Sequence, residues 1–344
     1  MIEGIEVSDF LERAANCPVL DVRSPSEYKQ GHLPGAINIP LFNDSERALI
    51  GTLYIQKGRE VAIIKGLDIC IPKTSSYMKK VHRLVKRKSI LLYCWRGGMR
   101  SATIAQVFEK AGYSVFILTG GYKSYRRFIR TRLAEKARIV VLGGYTGSGK
   151  TEILHAIGKR KEQIIDLEKL ANHKGSVFGA LGQSPQPTNE QFENNFYLQW
   201  SRMDLSKPVW LEDESRMIGK ITLPDPLFEQ ISAGILIQVL TPIPLRIERL
   251  VSEYSCFSRT KLGEALNRLH QRIGGTNTRD ALQALKERKY DTVAAIVLSY
   301  YDKTYQFAIE RRKNQSIYRI ELNQSDNESN AEKILGFYKT LLIR

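Results

Sequence analysis

Cysteine is scarce in this 344-residue chain, and its four copies, Cys17, Cys70, Cys94 and Cys256, lie far apart with no C-x-x-C pair. That spacing argues against a disulfide framework or a zinc knuckle and suits a reducing compartment. No uninterrupted apolar run is long enough to span a bilayer, so no membrane association is expected. The opening residues, Met1-Ile2-Glu3-Gly4-Ile5-Glu6, are acidic and lack a signal-peptide pattern, and a cytoplasmic location is expected. Internal repeats and low-complexity tracts are missing too. Acidic residues are the minority charge, 36 against 52 Lys and Arg, for a net of +16.

The basic excess is uneven. Residues 1–138 hold 24 Lys/Arg and 12 Asp/Glu, whereas residues 139–344 hold 28 and 24. Two runs carry it. One contains Lys79, Lys80, Arg83, Lys86 and Arg87; the other contains Lys123, Arg126, Arg127 and Arg130. Either alone could be a solvated face, but two runs in one half point to a phosphate backbone. These nine residues are the candidate nucleic-acid contacts.

The length allows two domains. Strand and helix signals alternate in the first half: a helix capped by Ser8, a strand at Pro18–Val22, a turn and short strand after Gly31, and a strand at Ser89–Tyr93. A helix to about Gly112, a strand at Ser114–Leu118 and a basic helix from Tyr122 follow. Residues 41–80 read only as helix and loop. A fresh buried strand begins at Arg138, with others near 163–167, 208–211, 235–240 and 317–322. The pattern predicts an α/β protein with two parallel sheets, divided as 1–133, ending in a basic linker helix, and 134–344. The second domain includes a mainly helical insertion at about 245–312. Its stripes Leu262, Leu266, Leu269, Ile273 and Val293, Ile296, Val297, Tyr300 read as core, and packing is favoured over base stacking for Tyr300, Tyr301 and Tyr305.

Two strand-to-helix turns carry chemistry. The first is Cys94-Trp95-Arg96-Gly97-Gly98-Met99-Arg100-Ser101. A cysteine there faces the free N–H groups of a helix start, with Arg96 and Arg100 nearby, an arrangement that favours a nucleophilic thiolate and also cradles an anion. Cys94, Arg96 and Arg100 are the candidate catalytic residues; Trp95, Gly97, Gly98, Met99 and Ser101 form the anion loop. The second is Gly143-Gly144-Tyr145-Thr146-Gly147-Ser148-Gly149-Lys150-Thr151, which from Gly144 satisfies G-x-x-x-x-G-K-[ST] between a strand and a helix. Its candidate diphosphate ligands are Gly144, Thr146, Gly147, Ser148, Gly149, Lys150 and Thr151. Asp166 and the run Glu212, Asp213, Glu214 end neighbouring strands and, with Arg216, are candidate acids or substrate contacts. His173 belongs to the same set, in a glycine-containing segment with Lys174 and Ser176. Magnesium is compatible with the loop; the metal is left unknown.

The first half resembles a rhodanese domain through Asp21-Val22-Arg23, Glu27-Tyr28, Gly31-His32-Leu33-Pro34-Gly35-Ala36, the Cys94 loop and Gly120-Gly121-Tyr122. In that family the loop cysteine carries sulfur as a persulfide. Here Arg100 makes a C-x5-R loop, one residue longer than in many sulfur carriers and similar to that of rhodanese-like phosphatases, which hold a tetrahedral phosphate. The residues alone therefore leave open a sulfurtransferase or thiol phosphatase fused to a kinase-like P-loop domain, and, on charge only, a non-catalytic RNA-binding protein.

End to end, the chain resembles the bacterial tRNA 2-selenouridine synthase family, on the Cys94 loop, Gly120-Gly121-Tyr122-Lys123, Gly143–Thr151 and Trp210-Leu211-Glu212-Asp213-Glu214-Ser215-Arg216. The resemblance implies a rhodanese-like domain followed by a P-loop NTPase-like domain. It implies conversion of wobble 2-thiouridine (U34) to 2-selenouridine through an S-geranyl intermediate made from geranyl diphosphate. Selenation from selenophosphate would pass through a selanyl-cysteine on Cys94, with the loop amides and Arg100 holding the phosphate. The implied partner is a tRNA bearing 2-thiouridine; no tightly bound cofactor and a monomeric chain are expected.

Overall fold

The computed structural model describes residues 1–312 and 315–343. They form two compact units: residues 1–133 with Glu193–Leu198, and residues 134–192 with 199–344. Each unit has its own five-stranded sheet in which every pairing is parallel.

In the first unit the strands are β1 (Ile2–Ile5), β2 (Val19–Asp21), β3 (Ile37–Asn38), β4 (Ser89–Tyr93) and β5 (Ser114–Leu118), in the order β1-β5-β4-β2-β3. Strand β4 is central. Its run Ile90-Leu91-Leu92-Tyr93 is wholly buried, as an unbroken apolar strand covered on both faces must be. Strand β1 gave no sequence signal. The first helix is Val7–Ala14, with Glu6 rather than Ser8 at its cap and no side-chain capping bond. Residues 41–80, unplaced by sequence, hold the helices Asp44–Lys57, Arg59–Cys70 and Thr74–Leu84. A reciprocal capping box between Asn43 and Glu46 starts the first of these.

The second unit has β6 (Arg138–Gly144), β7 (Gln163–Ile165) and β8 (Pro208–Glu212), then a small antiparallel pair, β9 (Met217–Ile218) and β10 (Ile221–Thr222). Strands β11 (Ile235–Leu240) and β12 (Ile317–Glu321) complete the sheet, ordered β12-β11-β6-β8-β7. Between β11 and β12 the chain makes the helices Ile243–Tyr254, Arg259–Arg268, His270–Ile273, Gly275–Lys286 and Tyr290–Glu310. Central β6 ends where a neighbour's crossover leaves on either side, so its C-terminal loop opens into a crevice, the usual ligand position in such sheets. Among the described residues no helix is long and apolar enough to cross a membrane.

Candidate functional site

In the first unit, β4 delivers Cys94 to a loop that ends at the helix Met99–Lys110. Cys94 is buried, and its Sγ lies 3.3 Å from Ser101 Oγ, which donates to the Gly98 carbonyl at 2.9 Å. The loop is held from behind by Gly120-Gly121-Tyr122. Tyr122 N donates to the Cys94 carbonyl at 2.8 Å, and Lys123 N to that of Trp95 at 3.0 Å. The fit has no room for a side chain. Gly121 has φ +61°, and a β-carbon there would lie 2.4 Å from both Cys94 O and Gly97 N. Gly97 (φ +63°) is equally confined, by Leu118 O at 2.5 Å. Gly121→Ala is therefore expected to destabilise this unit by about 2 kcal/mol or more, through strain plus overlap with unyielding backbone. Urea unfolding checks this; an unchanged midpoint would mean the loop can retreat.

Buried Arg23 braces the same loop. It pairs with Asp21 (2.6 Å), donates to Gly31 O (2.6 Å), and lies over the Tyr122 ring, 3.8 Å from its centroid. The Asp21-Val22-Arg23 signature is thus a scaffold beneath the cysteine. Of the two candidate arginines, Arg96 is exposed, whereas Arg100 is half-buried and bonded to Glu27 Oε2 at 2.8 Å. Burial would raise the Glu27 carboxyl, but the Arg100 hydrogen bond and charge outweigh it and hold Glu27 below its usual range. Trp95 and Gly97 are half-buried, Gly98 and Met99 exposed, and Ser101 buried beneath the sulfur.

Of the basic residues, Lys79, Lys80, Arg83, Lys86, Arg87, Lys123, Arg127 and Arg130 are exposed. Arg126 is not. It is buried, pairs with Glu193 and donates to Asn194 Oδ1 at 2.5 Å. In the helix Gly121–Leu133 it shares the buried face with Tyr122, Tyr125, Ile129 and Leu133, so its helical position removes it from the surface set. Arg87 donates to Asn16 O at 2.6 Å, and Arg130 lies 3.5 Å from Glu193.

In the second unit, Gly147 (φ +78°) and Gly149 (φ +77°) turn the phosphate loop into the helix Lys150–Lys159. Lys150 Nζ donates to Gly144 O at 3.1 Å, and Ser148 Oγ donates to Tyr145 O. Two arginines unforeseen from sequence clamp the loop from the helix Ile243–Tyr254. Arg249 donates to Gly147 O at 3.0 Å and packs against Gly149, where a β-carbon would lie 2.4 Å from its Nη1. Buried Arg246 donates to Thr146 O at 2.8 Å and forms two hydrogen bonds with Asp302, of 2.9 and 2.5 Å. Their only sequence signal was arginine spacing of one helical turn shortly after β11.

Carboxylates gather beside this loop. Thr151 Oγ1 donates to Glu168 Oε2 at 3.0 Å, and Glu168 is hydrogen-bonded to Glu214. Burial raises Glu168 against the pull of Lys150 and Thr151; burial and the Glu168 charge push Glu214 well up. Gly175 (φ +68°) leaves space for this pair, since a β-carbon there would sit 3.0 Å from Glu214 Oε2. Glu212 is wholly buried and accepts from Leu167 N at 2.9 Å; burial, then Asp166 and Glu168, push it well up. Asp213 accepts from the Tyr305 hydroxyl at 3.0 Å and pairs with Arg312 at 2.8 Å. Asp166 is 2.6 Å from His155 Nε2 and caps the next helix through Lys169 N. Thr151 is thus bonded to Glu168, and Asp213 to Tyr305 and Arg312. Among the described residues no three His, Cys, Asp or Glu side chains could hold a metal.

His173 is buried, with Nδ1 lacking a hydrogen-bond partner and burial lowering its pKa; it packs against Gly179 and Gly219. Arg216 is exposed and paired with Asp225. Neither borders the cavity described next. Lys174, paired with Glu253, does.

The phosphate loop opens into a cavity of about 490 Å³. Glu168, Asp213, Glu214 and Arg249 border its polar end, and its far wall is apolar and tyrosine-rich. One face of the helix Tyr290–Glu310 forms much of that wall, including Val293, Val297, Tyr300 and Tyr301. These residues read as core from sequence, because a cavity wall and a packed core share one helical period.

Residues 137–332 match the family described as the tRNA 2-selenouridine synthase AAA domain, and residues 6–127 match the rhodanese-like domain family. Three curated relatives are each called tRNA 2-selenouridine synthase. The Nitrosomonas europaea protein is 37% identical over 81% of this chain and 74% of its own length. That of a Sulfurovum species is 32% identical over 98% and 99%. That of Cronobacter sakazakii is 33% identical over 90% and 91%.

Proposed function

We propose how the reaction is carried from one premise: this chain belongs to the tRNA 2-selenouridine synthase family. We infer that it converts the wobble 2-thiouridine of a tRNA to 2-selenouridine in two steps, one in each unit. The carrying observation is the cavity of the second unit, a phosphate loop continuous with an apolar, tyrosine-rich wall. It suits an amphiphile with a diphosphate head and an isoprenoid tail, the chemistry of geranyl diphosphate. A hydrophilic nucleotide would leave that wall in contact with water.

In the first step the thiouridine sulfur bonds to the allylic carbon of geranyl diphosphate. The carbon–oxygen bond breaks, diphosphate leaves with the electron pair, and the N3 proton of the base is lost. Lys150 and the loop N–H groups stabilise the charge that builds on the departing diphosphate. Arg246 and Arg249 hold the loop carbonyls of Thr146 and Gly147 in place, and Arg249 packs against Gly149, so the N–H groups need not reorganise during the reaction. In the second step the Cys94 thiolate attacks the phosphorus of selenophosphate. The P–Se bond breaks, hydroselenide leaves with the electron pair and displaces geranylthiolate from C2 of the base, and water then returns the S-phosphocysteine to thiol and phosphate. A selanyl-cysteine would need a two-electron oxidant that selenophosphate does not supply. The N–H groups before the helix Met99–Lys110 and the Arg100 guanidinium hold the phosphate oxygens. For that contact Arg100 must exchange Glu27 for the anion.

Purified chain given tRNA with 2-thiouridine, geranyl diphosphate and selenophosphate is expected to yield first the S-geranylated and then the selenated nucleoside by mass spectrometry. No geranylated nucleoside at any time would overturn the two-step reading.

The eight exposed lysines and arginines are the proposed tRNA contacts. Affinity for tRNA should fall steeply as salt rises, and Lys86→Gln with Arg87→Gln should flatten the log–log slope by about one to two. A slope unchanged by that pair would remove these residues from the interface.

A further inference from the structure

We propose that the helix Tyr290–Glu310 is a ruler that sets the length of the transferred isoprenoid, with Val297 and Val293 as its graduations. The inference rests on the diphosphate reading above and goes beyond it to the selection among allylic diphosphates.

The helix lies along the cavity, which Tyr290, Val293, Val297, Tyr301, Tyr305 and Ala308 all border. These positions recur every three to four residues, so a single face lines the cavity from end to end. Its phosphate end is fixed at Tyr305. The hydroxyl of Tyr305 donates to Asp213 at 3.0 Å, and its ring meets that of Tyr145, in the phosphate loop, at 5.2 Å. Asp302, one turn earlier, is bonded to Arg246, which bonds the loop itself. The far end belongs to a packed cluster in which Leu262, Leu285 and Val297 are buried and Val293 and Tyr290 pack on them.

Length follows from two repeats that nearly coincide. An α-helix advances about 1.5 Å per residue, or about 5.4 Å per turn. An isoprene unit contributes four chain carbons, about 5 Å when extended at standard carbon–carbon spacing. One unit therefore runs past about one turn. With the reacting carbon level with Thr304 and Tyr305, beside the loop, the first unit ends near Tyr301 and the second near Val297. A third unit would have to pass Val297 and reach Val293, along the part of the wall where Leu262 and Leu285, from two other helices, pack with Val297 as one buried cluster. Two units span the stretch from the phosphate loop to Val297, and the third meets that packed cluster.

The test is competition among equimolar dimethylallyl, geranyl and farnesyl diphosphates, with full-length chain and thiouridine tRNA. The S-prenyl nucleosides differ in mass and are counted directly. Parental chain should form mainly the ten-carbon product. Val297→Phe should shift the ratio at least about tenfold toward five carbons, and Val293→Ala with Leu285→Ala at least about tenfold toward fifteen, the scale on which a pocket separates substrates by a few carbons. Both variants transferring isoprenoid with the parental product ratio would overturn the ruler. If Val297→Phe does not fold, as judged by its melting curve, the deepened variant decides alone, since truncation leaves the backbone free of overlap. Absence of transfer from all three diphosphates by the parental chain would instead overturn the diphosphate reading.

Discussion

Cys94→Ser is expected to eliminate selenouridine while the S-geranylated nucleoside accumulates. The substitution is nearly isosteric: the hydroxyl can keep the contact with Ser101 that the sulfur makes at 3.3 Å, so the loop and its glycine backing should persist. What is lost is the nucleophile that releases selenide from selenophosphate. Removing a covalent nucleophile typically costs more than about 10³-fold in rate, which puts the selenated product below detection. Geranyl transfer, assigned to the phosphate loop of the other unit, involves no atom of Cys94. Mass spectrometry of digested tRNA reads both products in one run. Parental levels of selenouridine in the variant would refute the role of Cys94.

Lys150→Ala should give the complementary phenotype. Its ammonium is the side-chain charge that the phosphate loop itself supplies, and it donates to Gly144 O at 3.1 Å. Loss of one such donor to a leaving group lowers turnover by about 10²–10³. Geranylation should fall accordingly, and selenouridine with it when the tRNA starts as the thiouridine form. Supplied with tRNA already geranylated, the variant should make selenouridine at the parental rate. That rescue separates a defect in the first step from general damage. Undiminished geranylation would mean that the loop serves another ligand.

Much of the fold was legible because its central strands are unbroken apolar runs. Strands β4, β5 and β11 fall where the sequence set them, at 89–93, 114–118 and 235–240. Both candidate loops were legible for a related reason: glycines, a cysteine and a lysine occupy turns directly after such strands. Residues 41–80 were not, because their helices leave apolar side chains such as Ile55, Ile64 and Leu67 in solvent, which blurs the amphipathic period. Arg126 was misjudged by counting charge along the chain, although a 3.6-residue period already groups it with Tyr122 and Ile129. Arg246 and Arg249 could not be recognised as partners of the phosphate loop, because they meet it across about 100 residues of sequence, a relation only tertiary structure supplies.

Arg246 joins two parts that a bipartite ligand would touch separately, since it bonds both the Thr146 carbonyl and Asp302 on the helix Tyr290–Glu310. Head and tail then need not act independently. Any ligand that biases the helix through its hydrocarbon end also biases the phosphate loop, and thermodynamic reciprocity requires the converse. Inorganic diphosphate and a neutral prenyl alcohol should consequently bind with mutual cooperativity, each improving the affinity of the other by a common factor. On that view the buried guanidinium is a coupling element: it lets the enzyme distinguish a complete substrate from its two fragments.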